Sequence, residues 1–436
     1  MRTPVCDFLR DYIQKDVTRL HMPGHKGVGA PADITEVTGA DVLYHAQGIL
    51  KESQNNAAAL FGTAKTLYST EGSSLSIRAM VCLLRMYTGR VPVIAAGRNA
   101  HKSFVTAAAL LPAQVQWLWP AHSTDLLSCP ITPAELDAFL QNHSVDAVYI
   151  TSPDYLGNVA DIAGLAQVCH AYKTLLLVDN AHGAYLKFLP ESRHPIDLGA
   201  DICCDSAHKT LPVLTGGGYL HVSKNAPEFF AQQAQRAMSL YASTSPSYLI
   251  LESLDACNAY LPKEYPQHLQ AMITATEAVK ARLAAAGYAF VGCEPLKLTI
   301  AAKAYGYTGC QLGEILESND LICEFADPDY LVLMLSPQNG PAALEKLEAV
   351  LRAIVRETPI FTSMPAMEKP EQAMSMGDAI LQAGEILPLS QCVGRILASP
   401  SVSCPPAIPV VVCGERIDQG AVAVMDYYGI TQLCVI

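Results

Sequence analysis

Between residues 51 and 260, short apolar runs alternate with helix-forming stretches, and this alternation restricts the fold more than any other feature of the chain. The runs are Val91 to Ala96, Val115 to Trp119, Val145 to Ile150, Thr174 to Val178, Asp201 to Cys204 and Gly218 to Val222. Helical stretches such as Gln54 to Phe61 and Ser74 to Met86 accompany them. Strands bounded by turn residues and separated by helices predict a mostly parallel sheet with helices on both faces. Sheets of this kind bind ligands outside the carboxyl ends of their strands. The residues that close each run are therefore the first to examine for chemistry.

Two runs close on reactive groups. Leu175, Leu176, Leu177 and Val178 lead into Asp179, Asn180, Ala181 and His182, while Ile202, Cys203 and Cys204 lead into Asp205, Ser206, Ala207, His208 and Lys209. A lysine in a cleft loses its proton readily, because desolvation disfavours the ammonium. The neutral amine can then form a Schiff base with an aldehyde. A solitary lysine is ordinarily a solvated surface charge, but a second strand ending in an aspartate changes the reading. Pyridoxal phosphate needs this pair, a lysine for its aldehyde and an acid to keep its pyridine nitrogen protonated.

Upstream, Gly72, Ser73 and Ser74 open a helix. Backbone N–H groups, the helix dipole and two hydroxyls there make a phosphate cradle, where a serine alone would read as a helix cap. Ser206 and His208 are candidates for further phosphate contacts. His101 follows the run ending at Ala96, and an imidazole at a strand end can lie flat against a pyridine ring.

The 436 residues suffice for two or three domains. Residues 1–50 read as an irregular N-terminal arm, with a short helix near Phe8 to Ile13 and a shaped loop, His21 to Gly27. Residues 51–260 form the large sheet domain. Residues 261–360 change rhythm to a smaller α+β domain, with helices His268 to Ala286, Thr308 to Ser318 and Ala342 to Val355 around strands Leu296 to Ala302, Cys323 to Phe325 and Tyr330 to Leu335. Residues 361–436 make a C-terminal domain with a helix over Pro370 to Ala383 and a proline-rich run, Cys404 to Pro409.

Half the residues are hydrophobic and 16% are charged, a compact composition. A net charge of -12 without a basic patch excludes a nucleic-acid partner. No apolar run is long enough to span a bilayer, the N-terminus has no signal-like core, and the 14 cysteines include no Cys-x-x-Cys pair. These features predict no membrane association and reduced thiols in a cytoplasmic protein. His21 and His25 are separated by Pro23 and Gly24, so they do not share a helix face and no metal site is expected.

Taken in order, these motifs resemble the bacterial ornithine/lysine/arginine decarboxylase family, which has the aspartate-aminotransferase-like pyridoxal-phosphate fold (fold type I). The matching segments are His21–Gly27, Gly72–Ser74, Arg98–Ser103, Val178–Gly183, Ser206–Thr210, Ser243–Pro246, Cys323–Asp327 and Pro405–Pro409 with Gly414 and Glu415. The resemblance implies an α/β enzyme, with a large mostly parallel sheet domain, a smaller α+β domain and a C-terminal extension. It implies decarboxylation of a basic amino acid to an amine that is a polyamine precursor.

Residue by residue, Lys209 would hold the cofactor aldehyde, Asp179 the pyridine nitrogen, and His101 would stack on the ring. Ser73, Ser74, Ser206 and His208 would hold the phosphate. Ser243 or Thr244 would reach the phosphate of a neighbouring subunit, because the family shares its sites across a homodimer. His182 falls near the cofactor, Glu415 meets the distal cation of the substrate, and Lys209 or His208 reprotonates the α-carbon.

The chain departs from the family in Pro153–Asn158, in Ala407 where glycine is common, and in being a short form without an N-terminal receiver-like domain. Two other readings stay open. One is an aminotransferase or other lyase of the same fold, which would clamp the α-carboxylate with Arg352, Arg356 or Arg395. The other is a non-catalytic regulator that binds pyridoxal phosphate. Ornithine, lysine and arginine are equally compatible with these residues.

Overall fold

The computed structural model describes residues 1–120, 126–404 and 408–436. In chain order the first elements are α1 (Pro4–Gln14), α2 (Ile49–Phe61), β1 (Lys65–Ser69), α3 (Gly72–Thr88), β2 (Val93–Gly97), α4 (Lys102–Leu110) and β3 (Gln114–Leu118). There follow α5 (Pro133–Leu140), β4 (Ala147–Thr151), α6 (Ile162–Ala171), β5 (Leu175–Asp179), β6 (Ile202–Asp205), α7 (Ala207–Thr210), β7 (Gly218–Val222), α8 (Glu228–Ser239) and α9 (Tyr248–Tyr260).

The next stretch holds α10 (Tyr265–Ala285), β8 (Phe290–Val291), β9 (Lys297–Ala301), α11 (Gly309–Glu317), β10 (Phe325–Ala326), β11 (Tyr330–Met334) and α12 (Gly340–Ala353). The last elements are α13 (Met376–Ile380), β12 (Glu385–Pro388), β13 (Ser401–Cys404), β14 (Ile408–Val412), α14 (Gln419–Tyr427) and β15 (Gln432–Val435).

These elements form two compact units, residues 1–92, 136–152 and 161–268 in one, and 93–135, 153–160 and 269–436 in the other. In the second unit α4 packs on α13 and β14, which draws residues 93–135 to the C-terminal part of the chain. That unit also holds the parallel pair β2–β3, an antiparallel sheet in the order β10-β11-β9-β8, and the ribbons β12–β15 and β13–β14.

Strands of the first unit lie in the order β1-β7-β6-β5-β4. β4, β5 and β6 run parallel, with Thr151 opposite Asp179 and Asp179 opposite Cys204. β7 is antiparallel to both β6 and β1. Every residue of β5 is buried, as an all-apolar run covered on both faces requires.

The run Gly218 to Val222 reappears unchanged as β7, and the other apolar runs reappear shifted by one or two residues. β5, for instance, extends to Asp179, so this carboxylate is the last residue of a strand. The helix expected over Pro370 to Ala383 shrinks to α13, with Ser375 as its cap. Pro405, Pro406 and Ala407 of the proline-rich run lie outside the described residues.

β1 is absent from the sequence reading, because Lys65-Thr-Leu-Tyr-Ser69 carries two polar residues that nevertheless become buried. Their partners explain it. Thr66 bonds Nδ1 of His221 at 2.8 Å, and Ser69 donates to Gly72 O at 2.7 Å. His221 belongs to a fully buried polar cluster in which Nε2 of His194 and Nε2 of His221 each lie 3.1 Å from Oδ2 of Asp205. The ring of Phe61 covers this cluster, its centroid 4.4 Å from that of His221.

Burial pushes the Asp205 carboxyl up, but the two imidazoles outweigh it and hold the group well below the usual carboxylate range. For His221, burial outweighs the pull of Asp205 and lowers it from the ordinary 6.5. Folded His221 thus takes up a proton less readily than the unfolded chain does. Its contribution to stability is complete above 6.5 and is lost as pH falls through the lower folded value. Thermal unfolding followed between pH 7.5 and 5 should show stability falling in acid. His221→Gln should flatten that slope by up to about 1.4 kcal/mol per pH unit, one proton's worth; parallel slopes for the two proteins would contradict this.

Candidate active site

The first unit gathers its reactive groups at the carboxyl ends of β5 and β6. Asp179 is 2% exposed. It accepts hydrogen bonds from the hydroxyl of Tyr149 (3.1 Å), the backbone N–H of Ala181 (3.2 Å) and the thiol of Cys204 (3.6 Å). All three donors are uncharged, and among the described residues Asp179 has no ion pair. Burial and the neighbouring carboxylate push Tyr149 and Cys204 well above their ordinary values, so both keep their protons and remain donors.

Neither Tyr149 nor Cys204 was singled out from the sequence. The signal existed in the period-two alternation that sets Tyr149 and Thr151 on one face of β4. It becomes readable only once Thr151 is known to stand opposite Asp179.

Lys209 lies on α7, the single helical turn that follows β6. Its Nζ is 2.8 Å from Nε2 of His182. Ser206 donates from Oγ to Oγ of Ser73 at 3.0 Å and accepts from the Ser73 N–H at 3.4 Å. This joins the start of α7 to the first turn of α3, a helix of 17 residues. Two glycines make the approach possible. Gly72 has φ +65°, and a Cβ on Gly218 would stand 2.8 Å from Asp205 O and 3.1 Å from the carbonyl carbon of Gly72.

His208 donates from Nδ1 to Gly217 O at 2.9 Å, which leaves Nε2 as the acceptor of the neutral ring. Ser74 is half-buried in the same first turn. Thr244 is exposed, in a loop where the Ser243 N–H donates to Oε1 of Glu71 at 2.7 Å. Around these groups, buried Thr151 Oγ1, Thr210 Oγ1 and Asn180 Oδ1 have no partner among the described residues.

The second unit carries His101 and Glu415. His101 caps α4, its Nδ1 accepting from the Ser103 N–H at 3.2 Å and lying 3.0 Å from Ser103 Oγ. Glu415 is only 2% exposed, and both its oxygens are taken by Arg98 at 2.8 Å. One of them also accepts from the Val412 N–H at 2.8 Å. The Arg98 guanidinium carbon lies 4.9 Å from the ring centroids of Trp117 and of Trp119. Glu415, expected from the sequence to receive the distal cation of a substrate, here has a buried bidentate partner in Arg98.

The three arginines considered as an α-carboxylate clamp are engaged elsewhere in this unit. Arg352 pairs with Glu348 on the surface, Arg395 pairs with Glu385 at 2.6 Å, and Arg356 lies over the ring of Tyr305.

This arrangement is that of an α/β enzyme of pyridoxal-phosphate fold type I. The chain belongs to the Orn/Lys/Arg decarboxylase family: its major domain matches residues 3–295 and its C-terminal domain residues 356–434. Members of this family are pyridoxal-phosphate-dependent amino-acid decarboxylases.

An arginine decarboxylase of Bacillus anthracis is 30% identical, covering 96% of this chain and 91% of that protein. One from Bacillus subtilis is 29% identical, with the same coverage of 96% and 91%. Among solved structures, the lysine decarboxylase of Francisella novicida matches with a TM-score of 0.79 at 16% identity, over 100% of this chain and 81% of that one. The constitutive lysine decarboxylase of Escherichia coli gives 0.76 at 17%, over 98% and 78%. Among the described residues no helix is long and apolar enough to cross a membrane.

Removing one partner of a buried ion pair strands the other charge, at a cost of about 3–5 kcal/mol. Glu415→Ala should lower the unfolding free energy read from a denaturant titration by that amount, with a lower midpoint, whether or not a basic amino acid is present. A midpoint equal to wild type, with only KM raised, would return Glu415 to the substrate.

Proposed function

We propose that this chain holds pyridoxal phosphate through Lys209 and decarboxylates a basic amino acid. The observation that carries this reading is Asp179, a buried carboxylate whose donors are all uncharged. An anion kept in that setting calls for a cation, and a protonated pyridine nitrogen supplies one. The rest of the site fits the same group. The start of α3, with the Ser73 and Ser206 hydroxyls, offers donors suited to a phosphate, and Gly72 and Gly218 keep the approach open. Unpartnered Thr151 and Thr210 hydroxyls leave further polar atoms for a ligand.

The bound cofactor supplies an electron sink for the pair left when the carboxylate departs as carbon dioxide. The protein's own groups do the remainder. Lys209 would hold the aldehyde, and the neighbouring Nε2 of His182, 2.8 Å away, would exchange a proton with Nζ. Asp179, aimed by Tyr149, Cys204 and the Ala181 N–H, would accept from the ring nitrogen and keep it protonated. Lys209 or His208 returns a proton to the α-carbon. As the family resemblance implies, His101 would stack on the ring, and Thr244, from its exposed loop, would reach the phosphate in a second copy of the chain. Engagement of Arg352, Arg356 and Arg395 by other groups disfavours the aminotransferase reading.

Arginine is the first substrate to test, because the Bacillus relatives carry that activity in their names; lysine and ornithine follow. Purified protein loaded with pyridoxal phosphate should release carbon dioxide and the matching amine from one of the three, with no requirement for a keto acid. Lys209→Ala should lose both the visible absorbance of the lysine-bound cofactor and turnover. Turnover that persists in this variant, or that depends on a keto-acid acceptor, overturns the reading.

A further inference from the structure

Asp205 closes β6 one residue ahead of the segment that bears Ser206, His208 and Lys209, and no part of its side chain reaches solvent. Its Oδ1 accepts from Nδ2 of Asn180 at 2.7 Å, and its Oδ2 accepts from Nε2 of His194 and Nε2 of His221, each at 3.1 Å. Two of these partners, Asn180 and His221, lead to different pieces of the candidate site. Asn180 directly follows Asp179. His221 stands on β7, the strand that begins at Gly218 beside the phosphate cradle, and through Thr66 it reaches β1, which leads into Gly72. One carboxylate thus ties together the strand ends that present the acid, the lysine and the cradle.

His194, Asp205 and His221 also form a group whose ligand atoms lie within 4.8 Å of one another, a spacing a metal could use. The other ring nitrogens argue against it. The Ile196 N–H donates to Nδ1 of His194 at 3.4 Å, which puts the proton of the neutral ring on Nε2, where a metal would have to bind. The Thr66 hydroxyl at Nδ1 of His221 permits the same tautomer. The cluster is a closed hydrogen-bond network with a carboxylate at its centre.

We propose that Asp205 is a positioning residue of the decarboxylase site. Held by His194 and His221 from below, it fixes Asn180, and with it Asp179, relative to the turn that carries Lys209. The proposal rests on the reading of Lys209 as the cofactor-binding lysine. Because these groups must meet one ring at fixed geometry, a small loss of alignment weakens the reaction far more than it weakens substrate binding.

Asp205→Asn tests it. The substitution keeps the shape but removes the charge and one acceptor; the unpartnered Oδ1 of Asn180 can turn to meet the new amide, which favours folding. Three quantities are read with pyridoxal phosphate bound: the pH midpoint of the visible band, kcat and KM. The expected result is a shifted midpoint and a kcat about 10- to 100-fold lower, with KM within about twofold. A wild-type midpoint and kcat, with only the melting temperature lowered, would overturn the proposal and leave Asp205 a structural residue.

If Asp205→Asn does not fold, His221→Gln and His221→Leu replace it. Glutamine keeps a donor at the position of Nε2 and should restore kcat and midpoint, where leucine lowers the one and shifts the other. Equal values for both variants and wild type would overturn the proposal. Wild-type protein without any lysine-bound band would instead refute the reading of Lys209, a failure seen before any variant is made.

Discussion

An anion buried at the end of a parallel strand, with only uncharged donors around it, is the constraint on which the first unit depends. Asp179 is almost wholly enclosed, so its solvation must come from the protein. The Tyr149 hydroxyl, the Cys204 thiol and the Ala181 N–H supply it. Those donors come from the two strands that flank β5 and from the turn just after it. The parallel register of β4, β5 and β6 is what brings them within reach. A slip of one residue would turn every side chain of the strand to the other face and leave the carboxylate without donors.

A second buried carboxylate lies close by in the sheet and is handled differently. Asp205 has two imidazoles and an amide, which together occupy both its oxygens. Asp179 is aimed by its donors yet has no charged partner. Asp205 is closed on all sides and joins the strands. The two roles follow from their neighbours, since residue type and strand-end position are the same for both.

In the second unit the corresponding device is Arg98. It reaches Glu415 across more than three hundred residues of sequence and lies over the rings of Trp117 and Trp119. A guanidinium suits this place, because its planar fork matches a carboxylate and its faces stack on aromatic rings. The pair also bonds the backbone at Val410 and Val412, so it anchors β14 to the loop that precedes His101.

The α/β architecture was legible in the sequence, because all-apolar runs such as Leu175 to Val178 have few other uses and their bounding residues mark the turns. Lys209, Asp179 and the Gly72–Ser74 loop were legible as chemistry, since each follows or precedes such a run in a pattern tied to one cofactor. The sequence did not show β1, whose buried Thr66 and Ser69 look like loop residues until His221 and Gly72 are seen to satisfy them. Nor did it show that Tyr149 and Cys204 serve Asp179, or that Glu415 is spent on Arg98. Local sequence determines which residues can form a strand and which groups can do chemistry. Only tertiary structure decides which buried polar atoms become partners, because register and chain crossing bring together residues that sequence spacing leaves far apart.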